Sequence, residues 1–186
     1  MKNEALPDID ISSLVELPNS EGCVERALVI AREILKLLEE QQSTLAVAES
    51  LTGGKLANAF VTVPGASSVF RGGAVTYATD TKASLLSVDI DVLGSRGAVD
   101  PLVAMEMAEG VSSLFGADYA LTTTGVAGPG PSEGKPAGTV FIGVKTPDST
   151  HFWGGRISGS REDVRNVTVE VGLMALLAEI RGIIKP

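Results

Sequence analysis

A serine set between a short apolar strand and a glycine pair is the first feature of this sequence that could do chemistry. Residues 44–48 read as a strand, Glu49 and Ser50 follow, and Thr52-Gly53-Gly54 precede a helical period at Leu56, Ala57, Phe60 and Val61. Ser50 therefore falls in a tight strand-to-helix turn. There a hydroxyl can point outward while the following backbone N–H groups face the same space, the geometry of an oxyanion hole for acyl transfer. Gly53 and Gly54 remove side chains that would hold a substrate off those amides, and a helix start favours negative charge. A serine at such a turn can equally cap the helix, and geometry alone leaves both readings open.

A nucleophile needs a base. The chain has one histidine, His151, in a strand-like run just after Pro147-Asp148-Ser149, and it reads as a structural or surface residue. The base is then sought among lysines, tyrosines and carboxylates. Lys82, in Tyr77-Ala78-Thr79-Asp80-Thr81-Lys82, follows the next strand, and a desolvated lysine can be neutral enough to accept a proton. Alone this is a weak signal, because an average lysine is a solvated surface charge. The single cysteine, Cys23, reads as a small buried residue on the first helix; it excludes an internal disulfide and any multi-cysteine metal cage.

A glycine- and proline-rich stretch, residues 124–136, invites two nucleotide motifs and matches neither. After Gly128 and Gly130 the third position of a dinucleotide fingerprint is Glu133. A P-loop needs four residues between its glycines, but only three stand between Gly130 and Gly134, and Lys135 precedes Pro136. The stretch is either a flexible surface loop or, since long structureless loops are uncommon unless functional, part of a binding site.

The elements that must position these residues alternate along the chain. Val24, Ala27, Leu28, Ala31, Ile34, Leu35 and Leu38 predict an amphipathic helix to Glu40. A strand is expected at 44–48, a second at 73–77, and then a short helix capped by Asp80. Asp100-Pro101 starts a helix to about Phe115. A third strand is expected at 119–123 and a hairpin at 139–145 and 150–156. Ser160 with Asp163 forms a capping-box-like start for a last helix. This order predicts an α/β fold, a mostly parallel mixed sheet covered on both faces with a C-terminal antiparallel hairpin. Ligands of such sheets bind beyond the carboxyl ends of the strands, where Ser50, Tyr77 and the Gly125 loop all fall.

Composition bounds the rest. A length of 186 residues with 44% hydrophobic content fits one domain, and residues 1–22, without sustained period, read as an N-terminal extension to a single domain at 23–186. A net charge of −8 without a basic stripe argues against nucleic acid. With no apolar run of membrane-spanning length and no signal-peptide pattern, a cytoplasmic protein is expected.

Four ordered blocks between Val24 and Ile184 resemble the CinA C-terminal domain and the stand-alone nicotinamide-nucleotide amidases. Ala48-Glu49-Ser50-Leu51-Thr52-Gly53-Gly54 is similar to their A-E-S-C-T-G-G signature. Gly73-Ala74-Val75-Thr76-Tyr77 with Lys82 resembles the second block, and Gly97-Ala98-Val99 before the Pro101 helix the third. Residues 124–140 resemble the S-G-I-A-G-P to K-P-V-G-T-V block. The resemblance implies a three-layer α/β/α sandwich and a serine amidohydrolase that deamidates nicotinamide mononucleotide to nicotinate mononucleotide, with no metal and no cofactor. By it Ser50 is the nucleophile and Tyr77 and Lys82 complete the catalytic set. Thr52, Gly53, Gly54, Thr124, Gly125, Gly128 and Arg161 are expected to bind substrate, with Arg165, one turn later, the competitor for its phosphate. The expected partner is a small pyridine nucleotide, and the expected assembly a homo-oligomer. Leu51 stands where cysteine is usual, Ala78-Thr79 where Ser-Asn is frequent, and Thr122-Thr123-Thr124 is hydroxyl-rich; none of these removes Ser50, Tyr77 or Lys82. The alternatives are a non-catalytic nucleotide-binding or stress-associated module, or an amidase for another small amide.

Overall fold

The computed structural model describes residues 20–182. Apart from residues 20–22, the expected N-terminal extension lies outside the described residues. Six helices and five strands follow in the order α1 (Cys23–Glu40), β1 (Leu45–Glu49), α2 (Lys55–Val61), β2 (Phe70–Val75), α3 (Thr79–Leu86), α4 (Ile90–Arg96), α5 (Pro101–Phe115), β3 (Tyr119–Gly125), β4 (Thr139–Lys145), β5 (Thr150–Arg156) and α6 (Arg161–Ile180). The strands form one sheet in the order β2-β1-β3-β4-β5. β1 pairs in parallel with β2 and β3, whereas β4 is antiparallel to both β3 and β5. The sheet is mixed as expected, with the hairpin supplying two strands and its parallel part confined to β2, β1 and β3.

Alternation along the strands divides the core into two faces. Leu45 and Val47 of β1, Leu121 of β3 and Ile142 and Val144 of β4 pack against α1, α2 and α6. Ala46, Ala48 and Ala120 face the opposite way, onto Val103, Met107 and Val111 of α5 and Leu86 of α3. Three layers result. Every residue of β1 is buried, as a central strand covered on both faces requires.

The starts of α5 and α6 are readable from their side-chain caps. Asp100 accepts from the Leu102 N–H with Pro101 at the first turn of α5, and Ser160 and Asp163 form a complete capping box on α6. α3 differs: its N-cap is Ala78, no side chain caps it, and Asp80 sits in the first turn, where an acid still suits the helix dipole. α4 was not foreseen, because only Leu93 of its seven residues is buried and no apolar period marks it. β2 begins earlier than expected and ends before Tyr77. Gly72 and Gly73 disguise the strand, yet the second is required there: a Cβ at Gly73 would lie 2.6 Å from Val47 Cγ2 of the neighbouring strand. Among the described residues no helix is long and apolar enough to cross a membrane.

Candidate active site

The parallel strands β2, β1 and β3 end on the same edge of the sheet, where Glu49 aligns with Val75 and Thr123. Ser50 extends β1 by one ladder bond, its N–H donating to Thr123 O at 2.9 Å, and the chain then turns away. On the next crossover α3 turns Lys82 inward until it is wholly buried. Its Nζ donates to Thr76 O at 2.7 Å and lies 3.3 Å from Ser50 Oγ. Burial pushes the Lys82 ammonium down to about 8, against an opposing upward pull from the Glu133 carboxylate. Roughly a tenth of such lysines are neutral at pH 7, enough for one to accept the Ser50 proton.

The turn after Ser50 is held by Glu49, Thr52 and Arg165. Glu49, 1% exposed, accepts from the N–H groups of Gly54 (2.9 Å), Leu56 (3.0 Å) and Ala57 (2.9 Å). It caps α2, so these amides are not available to an oxyanion. Thr52 is also corrected: its hydroxyl is buried against that of Thr123 at 2.8 Å. Arg165 donates from Nε to Leu51 O (3.0 Å) and from Nη2 to Thr52 O (2.9 Å), and packs against Gly53. Thr52, Gly53 and Gly54 therefore shape the turn and do not line the cavity beside Ser50. Leu51 does line it, and its N–H has no acceptor among the described residues, which leaves that donor free for an oxyanion. Glu49→Ala should cost about 3 kcal/mol in a denaturant melt, since it strips a buried carboxylate from three amides, and should lower activity by loosening Ser50. A loss under about 1 kcal/mol would show that water caps α2 equally well.

The cavity has a volume of about 350 Å³, within the range of small-ligand sites. Ser50, Tyr77, Lys82, Gly125, Gly128 and Arg161 all line it, bringing these expected residues together. Arg161, in the first turn of α6, donates from Nη1 to Gly128 O at 2.8 Å and from Nη2 to Tyr77 OH at 2.7 Å. Thr124 does not line the cavity; its buried hydroxyl donates to Ala98 O at 2.7 Å. Glu133, which had served only to break a motif, stands in the wall. His151 is the second residue of β5, the edge strand farthest from β2, its Nε2 paired with Ser149 Oγ at 2.9 Å. Cys23 is buried and packs with Leu51 and Val164. A larger groove, about 570 Å³, lies between α1 and α6, with Arg26 of its wall paired to Glu170 and Arg181 to Glu33. Among the described residues no cluster of His, Cys, Asp or Glu gathers at metal-binding spacing.

Fold and site thus define a three-layer α/β/α domain with a serine beside a buried lysine at the carboxyl edge of a mixed sheet. The CinA C-terminal domain family matches residues 28–180, and the chain belongs to that family. It is 49% identical over 150 residues to a CinA-like protein of Frankia casuarinae, covering 81% of this chain and 35% of that protein. It is 42% identical over 150 residues to a putative competence-damage inducible protein of a Geobacillus species, covering 80% and 36%. The chain spans about a third of the length of these curated relatives. Among solved structures, the competence/damage inducible protein CihA of Agrobacterium tumefaciens superposes with a TM-score of 0.79 at 33% identity, covering 82% of this chain and 94% of that one. A CinA superfamily protein of Klebsiella pneumoniae gives 0.81 at 29%, covering 84% and 98%.

Proposed function

We propose that this domain is a serine amidohydrolase that deamidates nicotinamide mononucleotide to nicotinate mononucleotide and ammonia. The observation that carries the reading is the buried Lys82 Nζ, 3.3 Å from Ser50 Oγ and with its proton affinity lowered by burial. Neutral Lys82 takes the hydroxyl proton as Ser50 Oγ attacks the carboxamide carbon. The tetrahedral oxyanion is met by the Leu51 N–H. Lys82 then returns the proton to the amide nitrogen, which leaves as ammonia, and Ser50 is left as an ester. Water attacks the ester, its proton passes through Lys82 back to Ser50 Oγ, and the acid product ionises. Tyr77 has a smaller part: its hydroxyl is exposed and bonded to Arg161, so it orients that guanidinium beside the substrate.

Ammonia release from nicotinamide mononucleotide by the purified chain tests the reading. No release, with retained nucleotide binding, would leave the site as a non-catalytic binding module; release from other small amides alone would change the substrate.

Arg161 is the residue suited to the phosphate, because it lines the cavity, whereas Arg165 lies outside it and holds the carbonyls of the Ser50 turn. It occupies the first turn of the 20-residue α6, where unpaired N–H groups favour an anion. Arg161→Ala should lower kcat/KM for nicotinamide mononucleotide by roughly tenfold or more and leave nicotinamide riboside nearly unchanged. An equal fall for both substrates would assign Arg161 to folding or chemistry.

A further inference from the structure

The cavity is bipolar. Among the described residues three charged side chains line it: Lys82 beside Ser50, Arg161 at the start of α6, and Glu133 on the long loop between β3 and β4. Arg161 and Glu133 are anchored to different segments. Arg161 is tied to Tyr77 and to Gly128 on the first arm of that loop, whereas Glu133 belongs to its second arm and reaches Val99, ahead of α5.

Among the described lining residues Glu133 is the only carboxylate, and it is held in position. Its Oε2 accepts from the Val99 N–H at 3.2 Å. Its carboxylate fills the space that a side chain at Gly97 would need, since a Cβ there would lie 2.5 Å from Oε2. Its backbone is left-handed, at φ 51°, inside a turn closed by paired Ser132 and Lys135 main-chain bonds of 3.0 and 2.9 Å. Strained non-glycine positions of this kind concentrate at functional sites. Its other oxygen, Oε1, has no hydrogen-bond partner among the described residues. The Glu133 charge also raises the proton affinity of Lys82, which opposes the neutral lysine that amide hydrolysis requires. A carboxylate fixed here works against the base, so its use lies with the ligand.

We propose that Glu133 is a specificity residue that binds the positive charge of a pyridinium ring, so that the cavity selects a zwitterion with a cationic aromatic head and an anionic tail. This rests on the amidase reading for the identity of the ligand. An N1-substituted nicotinamide carries its formal charge in the ring that bears the carboxamide, and its phosphate lies at the other end. With the ring on Glu133, the field that holds the proton on Lys82 is offset, and the bound substrate itself favours the neutral base. Hydrolysis then turns the neutral amide into a carboxylate, which Glu133 repels, and this favours release of the acid product.

The test uses the Ser50→Ala chain, which binds without turnover, with and without Glu133→Gln. Calorimetry compares nicotinamide mononucleotide with its 1,4-dihydro form, which keeps the carboxamide, ribose and phosphate but has a neutral ring. Glu133→Gln, which still offers an oxygen to the Val99 N–H, is expected to weaken the oxidised nucleotide by roughly tenfold and the reduced one by less than about twofold. Equal loss for both ligands, no loss for either, or no binding of either at millimolar concentration would overturn the proposal. The amidase reading is scored separately, by ammonia release from the wild-type chain. Charge-selective binding without ammonia would overturn that reading and leave this one standing. Thermal melts confirm that the variants are folded.

Discussion

Ser50→Ala is expected to lower ammonia release from nicotinamide mononucleotide by roughly 10³-fold or more while leaving the fold intact. The hydroxyl is the attacking atom, and among the described lining hydroxyls it is the one bonded to Lys82 Nζ. Folding should be nearly indifferent to its loss. The Ser50 N–H still donates to Thr123 O, Glu49 still holds the start of α2, and Lys82 keeps its bond to Thr76 O. The stability change should stay within about 1 kcal/mol. Ammonia assays beside a thermal melt measure both quantities. The capping role that sequence left open for Ser50 is not the one observed: the N-cap of α2 is Gly54, without a side-chain cap, and the three amides go to Glu49. Near-wild-type turnover in the alanine variant would therefore leave the serine without a role and refute the mechanism.

What was legible in the sequence was written in local chemistry. Ser50 after a short strand, Asp100-Pro101 before α5 and the Ser160-Asp163 box are signals a few residues long, and each stands where expected. What was missed depends on partners distant in sequence or on features without a local mark. Thr52 and Thr124 looked like ligand hydroxyls, but whether a threonine faces a cavity or seals a core depends on Thr123 and Ala98, which only the fold brings near. The glycine pair after Ser50 suggested an open anion site because nothing local reveals that the preceding glutamate folds over to occupy it. The choice between Arg161 and Arg165 was likewise tertiary. One turn of helix separates them, yet one reaches Tyr77 across the cavity and the other grips the backbone of the Ser50 turn. Glu133 had no mark at all, since a single acid in a glycine loop reads as solvated until Val99 and Gly97 are placed against it.

Lys82→Met should produce a chain that is catalytically crippled and more stable than wild type. The two effects have one cause. Inside the fold Lys82 titrates at about 8, below the ordinary 10.5, because burial disfavours its charged form. Between those values the unfolded chain binds more protons than the folded one, so stability rises with pH across that window. Below about pH 8 the cost is fully present, about 3 kcal/mol, and it disappears above 10.5. Methionine fills a similar volume without a charge to desolvate, but it gives up the ammonium's bond to Thr76 O, worth about 2 kcal/mol. A net gain of about 1 kcal/mol at pH 7 should raise Tm by about 2–4 °C. That advantage should shrink as pH is raised from 8 toward 10.5, which a generic packing improvement would not do. Activity should fall by about 10²–10⁴-fold, the usual worth of a positioned base. In the wild type, kcat/KM should climb roughly tenfold per pH unit below about 8 and then level, and the variant should lose that limb. Paired melts and pH-rate profiles therefore read the same ionisation from two sides. A variant that is less stable at pH 7, or one that keeps the alkaline limb, would show that Lys82 is a structural anchor and that the proton of Ser50 goes elsewhere.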